Sequence, residues 1–312
     1  MIALEGVRAG YPTPTGFVAA IDGLSLVVGD HEILGIAGES GCGKSTLMRL
    51  IYGEFGPDTP LRLTDGSIEA DLGGKRVSGA DLREHWWDLV SYVPQGSMGV
   101  LNPVLRIGAQ FADAVPRRRR GRGLMREIEG FLVEFDLEAH VLRAYPHQLS
   151  GGMKQRVLVA MAAFVHPRVI LADEPTTALD VVVQKRILIL LRQVQRRQGN
   201  SVVMVSHDLG VHYQIADRLA VLYAGKLVEI GPVDLVFAAP LHPYTQGLIG
   251  AIPRIGDDRP RDGIEGRPPD LGSPPPGCRF HPRCPEARDV CAKVEPAFEE
   301  KSPGRFAACH FR

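Results

Sequence analysis

The residues from Gly38 to Thr46 have the types and spacing needed to bind phosphate. They fit the pattern G-x-x-x-x-G-K-[ST] and follow the apolar run 33–37. Glycine permits the positive φ angles that turn backbone N–H groups toward a β-phosphate. We expect Lys44 to reach the β- and γ-phosphates, Ser45 to offer its hydroxyl to Mg²⁺, and the following helix to direct its positive end at the same anion. The predicted nucleoside triphosphate contacts are Gly38, Glu39, Ser40, Gly41, Cys42, Gly43, Lys44, Ser45 and Thr46.

A pair of carboxylates follows a second apolar run. Residues 169–172 read as a buried parallel strand, and Asp173 and Glu174 come directly after it. An apolar strand that ends in acid is typical of a Mg²⁺ site at the carboxyl edge of a sheet. A chance glycine-rich turn at residues 38–46 is therefore disfavoured, because strand, loop and helix occur together and an acidic strand end accompanies them.

Composition limits the classes of function. The 312 residues carry 36 Lys+Arg and 36 Asp+Glu, so zero net charge gives no global attraction to nucleic acid or to an anionic membrane. No apolar run reaches the ~18 residues needed to span a bilayer, and residues 1–5 lack the features of a signal peptide. We therefore expect a cytosolic chain without a nucleic-acid partner. Its five cysteines are then not a disulfide framework.

Periodicity and turn residues give a coarse outline of secondary structure. Tyr11 could stack on an adenine ring, although local packing beside Pro12 is an equally good interpretation. The arginines of 116–122 favour a solvated face or flexible corner, with lipid headgroups or acidic partners as the functional alternative. The expected elements are strands at 2–9, 24–28, 89–93, 169–172 and 201–206, a loop at 11–16, a hairpin at 67–77 with turns at 65–66 and 73–74, a helix at 82–87 and helices within 107–140.

The segment 149–156, Leu-Ser-Gly-Gly-Met-Lys-Gln-Arg, is predicted to open a helix capped by Ser150. Taken alone, such a cap needs no ligand. Together with the phosphate-binding loop and the acidic strand end, however, the segment resembles the signature of ATP-binding-cassette (ABC) ATPases. The resemblance implies an α/β fold: a P-loop ABC ATPase core over residues 1–235, an inserted helical subdomain near 96–165, and a small cysteine-rich C-terminal extension over 236–312.

The same resemblance implies roles for individual residues. Glu174 would polarise the attacking water, His207 would reach the γ-phosphate, and Gln95 would contact both Mg²⁺ and that water while its loop reaches toward a membrane partner. Mg²⁺ would be held by Ser45, Gln95 and Asp173. The signature would cap the γ-phosphate bound by a second subunit, and the 178–180 segment would cross the dimer interface. The additional nucleotide contacts implied are Ser150, Gly151, Gly152, Gln155 and Asp180.

The tail after residue 235 resembles one branch of this family. Segments 242–248 and 252–253, with 101–103 and 180–184, are similar to ATPase subunits of dipeptide, oligopeptide and nickel importers. Residues 256–276 read as a linker or an extended arm, because they are rich in Pro, Gly and charge. Four cysteines then follow in the spacing C-x₅-C-x₆-C-x₁₇-C, at Cys278, Cys284, Cys291 and Cys309.

Four thiolates in a short cytosolic segment suggest a bound metal. Their loose spacing and the importer resemblance favour a [4Fe–4S] cluster, with zinc and unligated thiols as alternatives. His281 and His310 are expected to flank the site, and Cys42 is not expected to be a ligand.

The chain is thus interpreted as the ATP-hydrolysing subunit of an importer for peptides or similar solutes, at the cytoplasmic face of the membrane. Its implied cofactors are ATP and Mg²⁺. Its implied partners are a second ABC ATPase subunit (a copy or a paralogue), two membrane-spanning permease subunits and an extracytoplasmic solute-binding protein. The alternatives are a soluble ABC ATPase outside transport and a redox-regulated cassette in which the cysteine cluster is the main functional element.

Overall fold

Two β-sheets form the framework of the chain. The computed structural model describes residues 1–14, 16–71, 73–96, 99–177, 179–252 and 263–312. An eight-stranded sheet has the order β11-β12-β10-β9-β3-β8-β7-β6, and a four-stranded antiparallel sheet has the order β2-β1-β4-β5. The strands are β1 (Ile2–Thr13), β2 (Gly16–Val28), β3 (Ile33–Ala37), β4 (Arg62–Asp71), β5 (Arg76–Ser78), β6 (Val90–Val93), β7 (Val169–Asp173), β8 (Ser201–Val205), β9 (Arg218–Tyr223), β10 (Lys226–Pro232), β11 (Glu299–Ser302) and β12 (Arg305–Ala307).

The middle of the larger sheet is parallel and completely buried. Strands β3, β7 and β8 consist only of buried residues. Covering both faces of parallel strands requires continuous apolar runs, which is why these segments are recognisable in the sequence. Both the β6–β7 pair and the β3–β9 pair are parallel. The loops that follow these strands therefore lie at one edge of the sheet.

Several described helices, including α1, α4, α6 and α7, contact strands of these sheets, whereas α2 and α3 pack against each other and against α4. The Gly79–His85 segment is a 3₁₀ helix, close to the predicted 82–87 helix, and the 107–140 region contains two separate α-helices. No described helix combines the length and apolar character needed to cross a membrane. The helices are α1 (Lys44–Tyr52), α2 (Ile107–Ala114), α3 (Leu124–Leu132), α4 (Gly151–Phe164), α5 (Val181–Gln198), α6 (Leu209–Ile215), α7 (Val233–Ala238) and α8 (Pro243–Gly250).

The predicted loop at 11–16 is wrong over most of its described part. β1 continues through Thr13, and Tyr11 pairs with Val18 in a long hairpin with β2. Pro12 is tolerated there because β1 stops pairing with β4 at Gly10, so no ladder on that side needs the missing N–H.

The predicted turn at 65–66 is also wrong. Both residues lie within β4, where Gly66 has φ +80° at an irregularity in the pairing with β1. The predicted 67–77 hairpin is confirmed, because β4 and β5 pair through Asp71 and Arg76.

Three of the five arginines in the 116–122 run contact other parts of the chain. Arg118 forms an ion pair with Asp88, and Arg119 donates to the Val165 carbonyl over 2.7 Å. Arg120 donates to the Val115 carbonyl over 2.8 Å. The Arg118 side chain remains 66% exposed, as expected for a solvated face, and the functional alternative stays a prediction.

The end of the chain is part of the larger sheet. β12 pairs with β10, and β11 pairs with β12. The fully buried Glu229 of β10 lies 3.4 Å from Arg305 and accepts backbone N–H groups from Leu241 and His242. Residues 253–262, which include part of the predicted linker, lie outside the described residues, and 263–276 contain no helix or strand.

Two buried histidines make stability depend on pH. Burial lowers the pKa of both His212 and His242 to about 4, and Arg312 adds to the effect at His242. His242 is neutral in the fold and accepts the Tyr244 N–H over 3.0 Å at the start of α8. The unfolded chain binds protons at these imidazoles below about pH 6.5, whereas the folded chain does not. The free energy of unfolding therefore falls as the pH drops from that value toward the folded pKa.

We predict that His242→Asn, which keeps a cap acceptor, removes part of this dependence. Between about pH 5 and 6 its free energy of unfolding should fall by about 1 kcal/mol less per pH unit than that of the wild type. Urea unfolding at several pH values measures this difference. The exposed His147→Asn is the control and should keep the wild-type slope. Equal slopes for all three proteins would contradict the prediction.

Candidate functional site

The loops after the parallel strands enclose a cavity of about 440 Å³ at one edge of the larger sheet. The phosphate-binding loop follows β3, Gln95 follows β6, Glu174 follows β7 and His207 follows β8. The structure therefore brings together groups that are up to about 170 residues apart in sequence, because parallel strands end at the same edge. The predicted residues that line the cavity are Tyr11, Ser40, Gly41, Gly43, Lys44, Ser45, Thr46, Gln95, Glu174 and His207.

The phosphate-binding loop has the backbone geometry that its glycines predicted. Gly41 and Gly43 have φ angles of +79° and +109°. A Cβ atom at Gly43 would lie 2.5 Å from the Ala20 carbonyl oxygen, so only glycine fits. The Lys44 ammonium donates to the Gly38 and Glu39 carbonyls over 2.7 and 2.9 Å, which places its charge at the loop. Helix α1 begins at Lys44 and directs its N-terminal N–H groups toward the same place.

Glu174 is surrounded by hydrogen-bond donors. Its carboxylate accepts from Gln95 Nε2 over 2.9 Å and from Thr177 Oγ1 over 2.8 Å, and it lies 3.3 Å from His207 Nδ1. Burial alone would raise the pKa of Glu174, but these donors outweigh it and hold the pKa below its usual value. Its φ of +48° is rare for a residue with a side chain. The backbone therefore presents an ionised carboxylate to the cavity.

Asp173 lies behind Glu174 and is almost fully buried. Its Oδ2 accepts from the Tyr92 hydroxyl over 2.9 Å, and its Oδ1 has no hydrogen-bond partner among the described residues. Burial raises the pKa of Asp173, and a nearby cation would favour the ionised form. An unpartnered buried carboxylate oxygen is costly. Mg²⁺ typically uses one or two carboxylates together with water and phosphate, so this donor set fits it.

The rear of the phosphate-binding loop faces away from the cavity. Gly38, Glu39 and Cys42 are predicted nucleotide contacts, but they are not among the described residues that line it. Cys42 is buried, and burial raises the pKa of its thiol. The Glu39 side chain turns instead toward Arg283 in the C-terminal tail.

The predicted signature residues are not at this cavity. Among the described residues that line it, none is Ser150, Gly151, Gly152, Gln155 or Asp180. Ser150 is exposed and caps α4 by accepting the Met153 N–H over 3.3 Å, as predicted. Asp180 caps α5 through the Val183 N–H over 2.9 Å, and Ala178 lies outside the described residues. Gln155 is only 2% exposed in the single chain, and its contact with a nucleotide stays a prediction.

Several residues of the site carried no recognised sequence signal. Thr177 binds Glu174, and its only signal is its position three residues later. Tyr92, at the end of β6, binds Asp173 from the neighbouring strand. Leu271, which lines the cavity from the tail, could not be found from local sequence because it is more than 200 residues from the phosphate-binding loop.

The iron–sulfur prediction is not supported by the geometry. Cys278, Cys284, Cys291 and Cys309 do line one small cavity of about 20 Å³, together with His281 and His310. However, the part of the chain that the structure describes contains no group of three or more His, Cys, Asp or Glu side chains that could hold a metal ion. Burial raises the pKa of Cys278 to about 11 and also raises that of Cys284.

The strand-end cavity defines a P-loop nucleotide-binding protein. A family model described as ABC transporter matches residues 21–177, and a second, described as Oligopeptide/dipeptide transporter, C-terminal region, matches residues 228–291. The chain belongs to the ABC transporter family as an ATP-binding subunit and ATPase.

Individual relatives match over nearly the whole chain. The dipeptide transport ATP-binding protein DppD of Bacillus subtilis is 40% identical over 99% of this chain and 94% of its own length. The oligopeptide transport ATP-binding protein OppD of Salmonella typhimurium is 36% identical over 99% of this chain and 93% of its own length. A dimeric post-hydrolysis structure of the ATP-binding cassette MJ0796, bound to ADP and Pi, is similar with a TM-score of 0.64 and 28% identity, covering 75% of this chain and 99% of that one. The cassette fold is thereby confirmed.

We predict that Tyr11 contributes to nucleotide affinity through its ring. Tyr11 lines the cavity, and its hydroxyl lies 3.2 Å from Thr46 Oγ1. Loss of a base-stacking ring in Tyr11→Ala should raise the Kd for MgADP about tenfold, whereas Tyr11→Phe should stay within about twofold. Calorimetric titration measures both. Inorganic tripolyphosphate, which has no base, should bind both variants equally well. An equal loss in the two variants would instead assign the effect to the hydroxyl.

Proposed function

We propose that this chain is the ATP-hydrolysing subunit of an importer for peptides or similar small solutes. The observation that carries the ATPase assignment is the ionised Glu174, held by Gln95, Thr177 and His207 beside the phosphate-binding loop. The solute class is supported by the dipeptide and oligopeptide relatives and by the matched C-terminal region.

Each residue of the site has its own role in this proposal. Lys44 and the N–H groups at the start of α1 would hold the phosphates, and Glu174 would accept the proton of the attacking water. His207, whose Nδ1 lies 3.3 Å from the Glu174 carboxylate, would contact the γ-phosphate. Bound Mg²⁺ would neutralise phosphate charge, with Ser45, Gln95 and Asp173 as its protein contacts. Since the Gln95 nitrogen donates to Glu174, its amide oxygen is the group suited to a cation.

A second cassette completes each site in this proposal. Ser150, Gly151, Gly152 and Asp180 are absent from the cavity of their own chain, which is consistent with contacts to a nucleotide held by another subunit. The similar MJ0796 cassette structure is dimeric. We infer that the γ-phosphate favours the closed pair and that hydrolysis reopens it.

The domain division is part of the proposal. We assign residues 1–235 to the nucleotide-binding domain, about 96–165 to an inserted helical subdomain, and 236–312 to a C-terminal extension. α2, α3 and α4 fall within the second of these ranges, which supports a helical insertion. The chain would act at the cytoplasmic face of the membrane with two permease subunits and an extracytoplasmic solute-binding protein. The second cassette would be a copy or a paralogue.

We predict that Glu174→Gln lowers the rate of ATP hydrolysis about 100-fold or more, because the amide cannot accept a proton from water. Affinity for MgATP should stay within about twofold, since the phosphate contacts remain. Hydrolysis and labelled-dipeptide uptake, measured with the companion subunits present, test both steps. The matched control is Glu54→Gln, which makes the same change at a partly exposed carboxylate outside the cavity. Unchanged turnover in Glu174→Gln would contradict the catalytic assignment.

A [4Fe–4S] cluster on the tail is a proposal that rests on the family resemblance, since the described residues contain no group of side chains that could hold a metal ion. We predict that anaerobically purified protein contains iron and sulfide and absorbs near about 400 nm. Cys291→Ser should lose this signal, and Cys42→Ser, which alters a thiol outside the tail, should keep it. Colourless protein with zinc or without metal would contradict the cluster.

A further inference from the structure

The C-terminal tail makes a direct ionic contact with the phosphate-binding loop. Arg283 Nη1 lies 2.7 Å from Glu39 Oε2, and Arg283 Nη2 lies 3.0 Å from Glu39 Oε1. The arginine side chain is 5% exposed and the glutamate side chain is 25% exposed. A bidentate guanidinium–carboxylate ion pair with this burial is stronger and better oriented than an ion pair on the surface. The contact joins residues 244 positions apart.

Glu39 is held at its backbone as well as at its side chain. Its carbonyl accepts from the Lys44 ammonium over 2.9 Å, and its N–H donates to the Tyr244 hydroxyl over 2.8 Å. Burial raises the pKa of Tyr244, so the hydroxyl stays neutral and can accept. The position of Glu39 therefore affects the group that reaches the phosphates.

Arg283 is itself fixed by the tail. Its Nε donates to the Glu265 carbonyl over 2.8 Å and its Nη2 donates to the Ile264 carbonyl over 3.2 Å. Its Nη1 also donates to the Tyr223 hydroxyl over 3.3 Å. The neighbouring Cys284 lines the small cavity shared by the four cysteines. The Arg283 guanidinium, whose orientation these bonds fix, thus connects the cysteine-bearing segment of the tail to the phosphate-binding loop.

Arg283 does not touch the nucleotide cavity. It lines a different cavity, of about 580 Å³, between α8 and the tail. Among the contacts of Arg283, the pair with Glu39 is the direct link to the phosphate-binding loop, so we expect an influence on nucleotide binding to act through this pair.

We propose that Arg283 is a positioning residue for the phosphate-binding loop, and that the C-terminal tail thereby sets the affinity of the cassette for nucleotide phosphates. The inference rests on the proposed ATPase function and deepens it. Without the guanidinium, Glu39 loses its ionic partner and the loop samples conformations in which Lys44 and the N–H groups no longer converge.

The test compares Arg283→Gln with Arg279→Gln in the full chain, with MgADP as the titrated probe. Arg279 is also a buried tail arginine that anchors the tail to the cassette, but it pairs with Asp22 and the Ala224 carbonyl and not with the loop. Arg283→Gln should raise the Kd for MgADP about tenfold, and Arg279→Gln should change it less than about twofold. With companion subunits, Arg283→Gln should raise KM for ATP by a similar factor and leave kcat within about twofold.

Glu39→Gln removes the same ion pair from the loop side and tests the proposal even if Arg283→Gln folds poorly. Its Kd should rise about as much as that of Arg283→Gln, and the double variant should show no further increase, because both changes break one contact. Equal effects of Arg283→Gln and Arg279→Gln would assign the result to tail stability and overturn the proposal. So would an unchanged Kd in Glu39→Gln. Failure of the wild type to bind MgADP would instead refute the proposed function itself.

Discussion

The parallel direction of β3, β6, β7 and β8 is the constraint on which the rest of the structure depends. Each strand ends at the same edge of the sheet, so each following loop contributes one component of the site there. The strands can be parallel only if both of their faces are covered, which the surrounding helices and the antiparallel sheet provide. The buried core and the nucleotide cavity are therefore two consequences of one arrangement.

The polar groups at this edge are held by one another and by distant parts of the chain. Glu174 has a left-handed backbone, and its neighbours Gln95, Thr177 and His207 outweigh the effect of burial and hold its pKa below the usual value. Lys44 is held by the carbonyls of its own loop, and Glu39 connects that loop to Arg283. The tail is thus joined to the nucleotide site as well as to the edge of the sheet through β12.

Sequence reasoning succeeded where chemistry is encoded in neighbouring residues. The phosphate-binding loop, the acidic end of β7 and the cap at Ser150 each depend on short spacings, and the structure has all three. It failed where a partner comes from far along the chain, as with Arg283 at Glu39. It also failed where residues typical of turns lie within paired β-strands, as with Pro12 in β1 and Gly66 in β4. The cysteine spacing predicted a metal site, but spacing alone does not fix whether four thiols converge on one ion.

The central claim is that ATP binds at the strand-end cavity of about 440 Å³. The two tail cavities, of about 580 Å³ between α8 and the tail and of about 430 Å³ beside Lys226, Arg279 and Phe298, are not expected to bind it. The most direct test is a crystal structure of the chain with Mg²⁺ and a non-hydrolysable ATP analogue. The account predicts density for the triphosphate against Lys44 and Ser45, with the γ-phosphate facing Glu174 and His207. Density for the nucleotide in either tail cavity, with the strand-end cavity empty, would contradict it.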